Sequence, residues 1–364
     1  MADLTLASVA SRRSRNAVAL WLLVVCAIVF AMVVLGGVTR LTHSGLSIVE
    51  WRPITGVLPP LSDSAWQDAF TRYQQFPEYQ QINRGMTLPE FKSIFWFEFS
   101  HRLLGRAVGI VFLVPFLFFW FTGRLDRAFV PKLLIMFALG AAQGLLGWYM
   151  VKSGLADRPD VSQYRLTAHL GLAVAIYGYM MWVALGALKT EAPPEALSGA
   201  PLAAALRSSP GGWLRALTVW IFVVILSGGL VAGLDAGFAY NTFPLMDGAW
   251  IPPGLFDAAP WFLNFFENRL TVQFDHRVLA VLTVIFAAVL WARGRNQATP
   301  EQRLALDLIL AAVALQFVLG LLTLWLVVPV AVAAMHQAGA LVLFTAAIYA
   351  AHAYRESPVR RAHP

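Results

Sequence analysis

Residues 98–112 read EFSHRLLGRAVGIVF, and residues 273–286 read QFDHRVLAVLTVIF. Each opens with a polar side chain, then Phe, then a His–Arg pair, and runs on into largely apolar sequence. The two segments decide the fold, because they are one motif used twice. Three further elements repeat in the same order. GGVTRLTHSG follows the first apolar run and GGLVAGLDAG follows the fifth. FALGAAQGLLGWYM lies in the third run and VALQFVLGLLTLWL in the seventh. LTAHLGLAVAIYG opens the fourth and AAMHQAGALVLFT the eighth. The matched histidines are His101 with His276 and His169 with His336, at nearly equal spacing along the chain. Each half contributes four runs, so the repeat is parallel: both halves enter a membrane in the same sense.

Composition agrees with a membrane environment. The 364-residue chain is 59% hydrophobic and 13% charged, against about 25% charged in a soluble domain. Apolar runs at 17–38, 102–122, 131–151, 166–188, 214–234, 276–292, 304–326 and 331–352 approach or exceed the length that crosses a bilayer. The fold expected is all-α, a polytopic membrane protein of eight transmembrane helices forming two pseudo-twofold related four-helix bundles. Residues 1–188 make the N-terminal bundle, with a long outer loop at 39–100. Residues 189–213, rich in Pro, Ala and Gly, read as a cytoplasmic linker, and 214–364 make the C-terminal bundle. Within the outer loop, Ser62 or Asp63 caps a polar helix. Thr87 caps a second helix, with Pro89 in its first turn, that continues into the second span. The first run is too long for a signal-peptide core and reads as a span.

Charge sets the orientation. Fifteen of the 27 Lys and Arg, but seven of the 20 Asp and Glu, lie on the side of the N-terminus. The positive-inside rule then places both termini on the cytoplasmic side of the membrane. His101, His169, His276 and His336 open the even spans, so all four lie one to two turns below the outer, periplasmic surface. The net charge of +7 is accounted for at helix ends. No basic block carries interleaved aromatics, so nucleic acid is not an expected partner. Cys26 is the sole cysteine, which excludes an intrachain disulfide and a cysteine-based zinc or iron–sulfur site.

Two histidines on facing helices can ligate one iron from opposite faces of a porphyrin. Zinc sites use three or four protein ligands, more than either pair supplies. Arg102 and Arg277 follow the first histidine of each half and either pair with haem propionates or meet lipid headgroups. Gln143 and Gln316, in matched QxxLG segments, reach a cofactor edge or bridge helices. One matched position differs in charge. Glu98 lies three residues before His101, on the same helical face, and its counterpart is Gln273. An ionisable residue near membrane depth is a functional-site candidate. The asymmetry points to one reactive half and one electron-carrying half; the alternative is a Glu98 that is simply solvated or paired with Arg102.

The segments GGVTRLTHSGLSIVEWRPITGVLPP, EFSHRLLGR, LTAHLGLA, FDHR and MHQ resemble the haem A synthase family, in the form typical of alphaproteobacteria and mitochondria, over about residues 16–352. The resemblance implies oxidation of a ring methyl of haem O to the formyl group of haem A, which serves terminal oxidase assembly. It implies that His101 and His169 form the substrate haem O site, that His276 and His336 are axial ligands of a haem b, and that Glu98 is the essential acid of an E-x-x-H motif. The partners implied are membrane lipid, a haem O synthase that hands over substrate, the cytochrome oxidase assembly machinery that takes the product, and an electron donor the sequence does not identify. A homo-oligomer is compatible with it. Many bacterial relatives carry cysteine pairs in outer loops, and this chain has none there. Two other readings stand beside it: a non-catalytic dihaem cytochrome b, and a transporter, which would show inverted repeats or broken mid-membrane helices.

Overall fold

The computed structural model describes residues 2–52, 55–155, 161–189 and 210–355. Among them are eight helices long and apolar enough to cross a membrane. They are α1 (Ala2–Leu41), α2 (Leu88–Phe121), α3 (Val130–Gly154), α4 (Gln163–Leu188), α5 (Pro210–Gly233), α6 (Arg269–Gly294), α7 (Pro300–Trp325) and α8 (Val330–Ala353). Every one has at least 24 residues, and at about 1.5 Å per residue each exceeds a ~30 Å hydrocarbon core. The described residues contain no β-strand. The apolar runs read from sequence fall inside these helices to within one residue. Most of the expected linker, residues 190–209, lies outside the described residues.

Local sequence starts the helices where it should. Glu90 closes a capping box at the head of α2, accepting from Thr87 N at 2.7 Å and Thr87 Oγ1 at 2.8 Å, with Pro89 in the first turn. Thr299 and Gln302 form the same box on α7, with Pro300 following the cap. Each box satisfies backbone donors that a helix start leaves open.

Packing follows the repeat. In the first half α1 packs on α2 and α4, and α3 packs on α2 and α4; in the second half α5 packs on α6 and α8, and α7 packs on α6 and α8. Contacts between halves run through α1–α8, α4–α5 and α4–α8. One apolar core therefore threads both halves, with Leu22, Met180, Ala184, Leu217, Ile221, Leu341 and Ala347 buried within it. The helices α2, α3, α6 and α7 turn Ile110, Val114, Leu145, Ile285 and Leu315 outward. Such exposed apolar faces on helices with internally satisfied backbones suit contact with lipid. The repeat reaches even the turns. His43 and Asp235, at matched positions of the two halves, both follow their helices with a left-handed φ, of 49° and 51°.

The outer loop is folded. Two helices, Asp63–Tyr73 and Pro77–Gln81, lie over the outer end of α2. Trp66, Phe70, Tyr73, Phe91, Phe95 and Phe99 form the apolar cluster between them. Ser62, rather than Asp63, is the cap: its Oγ accepts from Ala65 N at 3.2 Å. This cluster fixes α2 for several turns beyond its apolar run and brings residues 47–50 against it.

Candidate functional site

Each of the four histidines rests on a glycine of the preceding helix. A β-carbon on Gly36 (α1) would lie 2.9 Å from His101 Cε1; one on Gly147 (α3) would lie 3.0 Å from His169 Cε1; one on Gly228 (α5), 3.2 Å from His276 Cε1; one on Gly320 (α7), 3.0 Å from His336 Cε1. In all four the Cε1 edge of the imidazole abuts helix backbone, at Gly36 closer than a β-carbon would allow and at the other three closer than β-carbons ordinarily come. The glycines stand five to seven residues before the C-terminal ends of their helices. The structure thus brings the four predicted histidines to equivalent seats. His276 and His336 face one another, with ring centres 6.5 Å apart and planes at 87°. Two imidazoles that share one metal, with bonds of about 2 Å each, place their ring centres about 6 Å apart. The C-terminal pair fits that requirement for a bis-histidine iron.

Around the seats, matched residues pin matched outer loops. Arg102 donates to Ile48 O at 2.7 Å and Glu50 O at 3.0 Å. Arg277 donates to Tyr240 O at 2.6 Å and Thr242 O at 2.7 Å, and these loop residues match Ile48 and Glu50 in the same register that pairs His43 with Asp235. Glu98 Oε2 accepts from Ile48 N at 2.7 Å, and Gln273 Oε1 accepts from Tyr240 N at 3.2 Å. The acid and the amide therefore do the same mechanical work. Glu98 does more: it also accepts from Ser47 Oγ at 2.7 Å and pairs with Arg102 at 2.5 Å. Gln273 instead donates to Tyr240 O at 2.9 Å. Both side chains are buried, at 2% and 3% exposure. Arg102 and Arg277 are thus committed to loop carbonyls at the outer rim, with N–H groups beyond those used. Gln143 and Gln316 reach the second histidine of each half, at His169 O (3.0 Å) and His336 Nδ1 (3.1 Å).

Sequence reasoning missed the glycine seats and two hydroxyls, Ser47 beside Glu98 and Ser227, whose Oγ lies 2.7 Å from His276 Nδ1. A signal existed for the seats. Gly36 and Gly228 each open a GG pair, and Gly147 and Gly320 close the two QxxLG segments.

A protein-family model described as Cytochrome oxidase assembly protein (COX15-CtaA) matches residues 19–348. The chain belongs to this family. Family relatives named Heme A synthase are similar along nearly their full lengths. That of Nitrosospira multiformis is 54% identical over 341 residues, 93% of each chain. That of Nitrosomonas eutropha is 53% identical over 333 residues, 91% of this chain and 92% of its own. That of Parvibaculum lavamentivorans is 48% identical over 339 residues, 93% of this chain and 94% of its own. The matched region takes in all or most of each of the eight spanning helices.

Proposed function

We propose that the protein is a haem A synthase of the inner membrane, converting a ring methyl of haem O into the formyl group of haem A. In this reading His101 and His169 hold the substrate, and His276 and His336 hold a haem b. The bound haem b supplies one-electron transfer. The carrying observation is the combination of four glycine-seated histidines with a carboxylate at one seat only, in a chain half identical to Heme A synthases over 93% of its length. The two bundles are taken as pseudo-twofold partners, a reading their matched contacts support. Both termini are cytoplasmic and the seats face the periplasm. Substrate is handed over from a haem O synthase, and product passes to cytochrome oxidase assembly.

The chain's own residues define the work at the reactive seat. Oxidising the methyl group passes its electrons to an external oxidant such as dioxygen and takes protons from the carbon close to the seat. Glu98 is the ionisable group one turn from His101, and it receives such a proton or opposes positive charge developing at the methyl carbon. Arg102 holds it in place, and Arg102 and Arg277 would have N–H groups left over from the loop carbonyls to pair with haem propionates. Ser47 and Ile48 fix the carboxylate's second oxygen and close the loop over the seat.

One observation favours a different reading. A Glu98 fully occupied by Arg102, Ser47 and Ile48 is what a non-catalytic dihaem cytochrome b would also contain. The two are separated by expressing the chain in a host without haem A and separating its extracted haems by chromatography. Haem A is expected with the wild type, and Glu98→Gln should bind haem while losing haem A formation by at least about 100-fold. Near-normal haem A from Glu98→Gln removes the acid from the chemistry. Haem b alone from the wild type supports the electron carrier.

A further inference from the structure

The two histidines of the C-terminal half are held from behind. Ser227 Oγ gives its own proton to Val224 O at 2.8 Å. A hydroxyl has one proton, so at His276 it accepts, and Nδ1 carries the hydrogen across the 2.7 Å contact. That leaves the Nε2 lone pair bare, the tautomer that binds a metal. His336 Nδ1 lies 3.1 Å from Gln316 Nε2, with the amide oxygen turned away and unpartnered. A carboxamide offers nitrogen or oxygen by a half-turn, and with oxygen forward it selects the same tautomer.

In the N-terminal half neither histidine is held this way. His101 Nδ1 and His169 Nδ1 are buried and have no hydrogen-bond partner among the described residues. The position matching Ser227 is Leu35, which adjoins seat Gly36 as Ser227 adjoins seat Gly228. Gln143, the match of Gln316, donates to the backbone carbonyl of His169 at 3.0 Å and meets the ring only at Nε2, at 3.5 Å, leaving Nδ1 without a partner.

We propose that Ser227 and Gln316 are positioning residues that lock His276 and His336 as permanent haem ligands, and that the lack of such partners behind His101 and His169 keeps the N-terminal site exchangeable. The inference rests on the assignment of haem b to the C-terminal pair. An acceptor at Nδ1 makes an imidazole more basic and fixes its orientation, and both effects tighten iron binding. A site that must admit a substrate and release a product works better without that grip. The glycine contacts of the four seats are alike, so they do not account for this difference.

The test uses the full-length protein purified with its haem. Three quantities are measured: haem transfer to excess haem-free myoglobin, the midpoint potential, and the low-spin spectrum of the haem b that remains. Ser227→Ala is expected to speed haem b loss about 10–100-fold and to raise its potential, and Ser227→Thr to restore both. Leu35→Ser is expected to slow haem release from the N-terminal site without altering the haem b spectrum. A Ser227→Ala protein with wild-type loss rate and potential, where His276→Ala does remove haem b, overturns the proposal and leaves the assignment standing. Haem b undisturbed in both His276→Ala and His336→Ala overturns the assignment and the proposal with it.

Discussion

Adding one methyl group at Gly320 should separate haem retention from folding. The new β-carbon would sit 3.0 Å from His336 Cε1, where carbon atoms prefer about 3.5–4.0 Å. The ring must therefore give by a few tenths of an ångström, which approaches the roughly 0.5 Å that a functional constellation tolerates. Retreat also strains the contact from His336 Nδ1 to Gln316, now 3.1 Å, since such bonds fade beyond about 3.2 Å. The expected consequence is a 10–100-fold weaker hold on the haem b proposed for the His276–His336 pair. Folding should respond in the opposite sense, because Ala is favoured over Gly inside a helix by about 1 kcal/mol. Gly140, in α3, has nothing within 4 Å of its would-be β-carbon, so Gly140→Ala carries the helix gain alone. The assay is haem b content and reduced-minus-oxidised spectrum after purification, with thermal unfolding followed by circular dichroism. Gly320→Ala should lose haem b without losing helix stability, while Gly140→Ala keeps both. A Gly320→Ala protein with haem content and spectrum matching Gly140→Ala would refute the seat argument.

Two further outcomes follow from the outer rim. Arg102→Ala leaves Glu98 buried without its counter-charge and should cost about 3–5 kcal/mol. Arg277→Ala uncovers only loop carbonyls and should cost roughly 1–3 kcal/mol, so equal losses in thermal unfolding would contradict the buried-pair account. Burial, reinforced by nearby Glu78, pushes the Tyr73 phenol above its ordinary range. A folded-state value raised above the unfolded one gives stability that is intact below about pH 10 and drains away above it. Alkaline titration followed by phenolate absorbance should show one phenol ionising only as the outer loop unfolds, and Tyr73→Phe should remove that phase. Ionisation of all tyrosines at ordinary pH would contradict the packing of the outer cluster.

The spans were legible because their signal is local and strong. An apolar run such as 331–352 needs no partner to announce itself, and α8 starts and stops within one residue of it. The start of α2 was equally legible, since Thr87, Pro89 and Glu90 act within a single turn. The four histidines were legible through the repeat rather than through any one of them. The seats were not. Glycine is ordinary in membrane helices, and nothing in a GG pair says which ring will lie against it. The partners of the imidazoles were hidden for a related reason. Ser227 reaches His276 across an interhelical gap that only packing defines, and Leu35 gains meaning only once the two halves are superposed. Arg102 and Arg277 looked available to a ligand, because no sequence pattern shows residues 48–50 and 240–242 folding back to offer them carbonyls.

The engagement of Glu98 with the loop does not reduce it to a structural residue, because the other half supplies the control. Gln273 accepts from Tyr240 N as Glu98 accepts from Ile48 N, and Arg277 grips its loop carbonyls without any carboxylate beside it. Pinning the loop therefore requires no charge. A carboxylate this deeply buried must give up its hydration, and an ion pair made in such a place is often no more stable than uncharged packing. Ser47 adds a hydroxyl to steady it, where the matching position of the other half is Ala239. The N-terminal half thus carries a costly, separately supported charge at a position where an amide demonstrably suffices for structure. Stability does not account for that charge, and the reaction proposed at the His101 seat would. The same comparison predicts that Gln273→Glu, which adds an acid to the other half, will leave haem A yield unchanged; a rise in yield would mean that the acid, and not its seat, makes a half reactive.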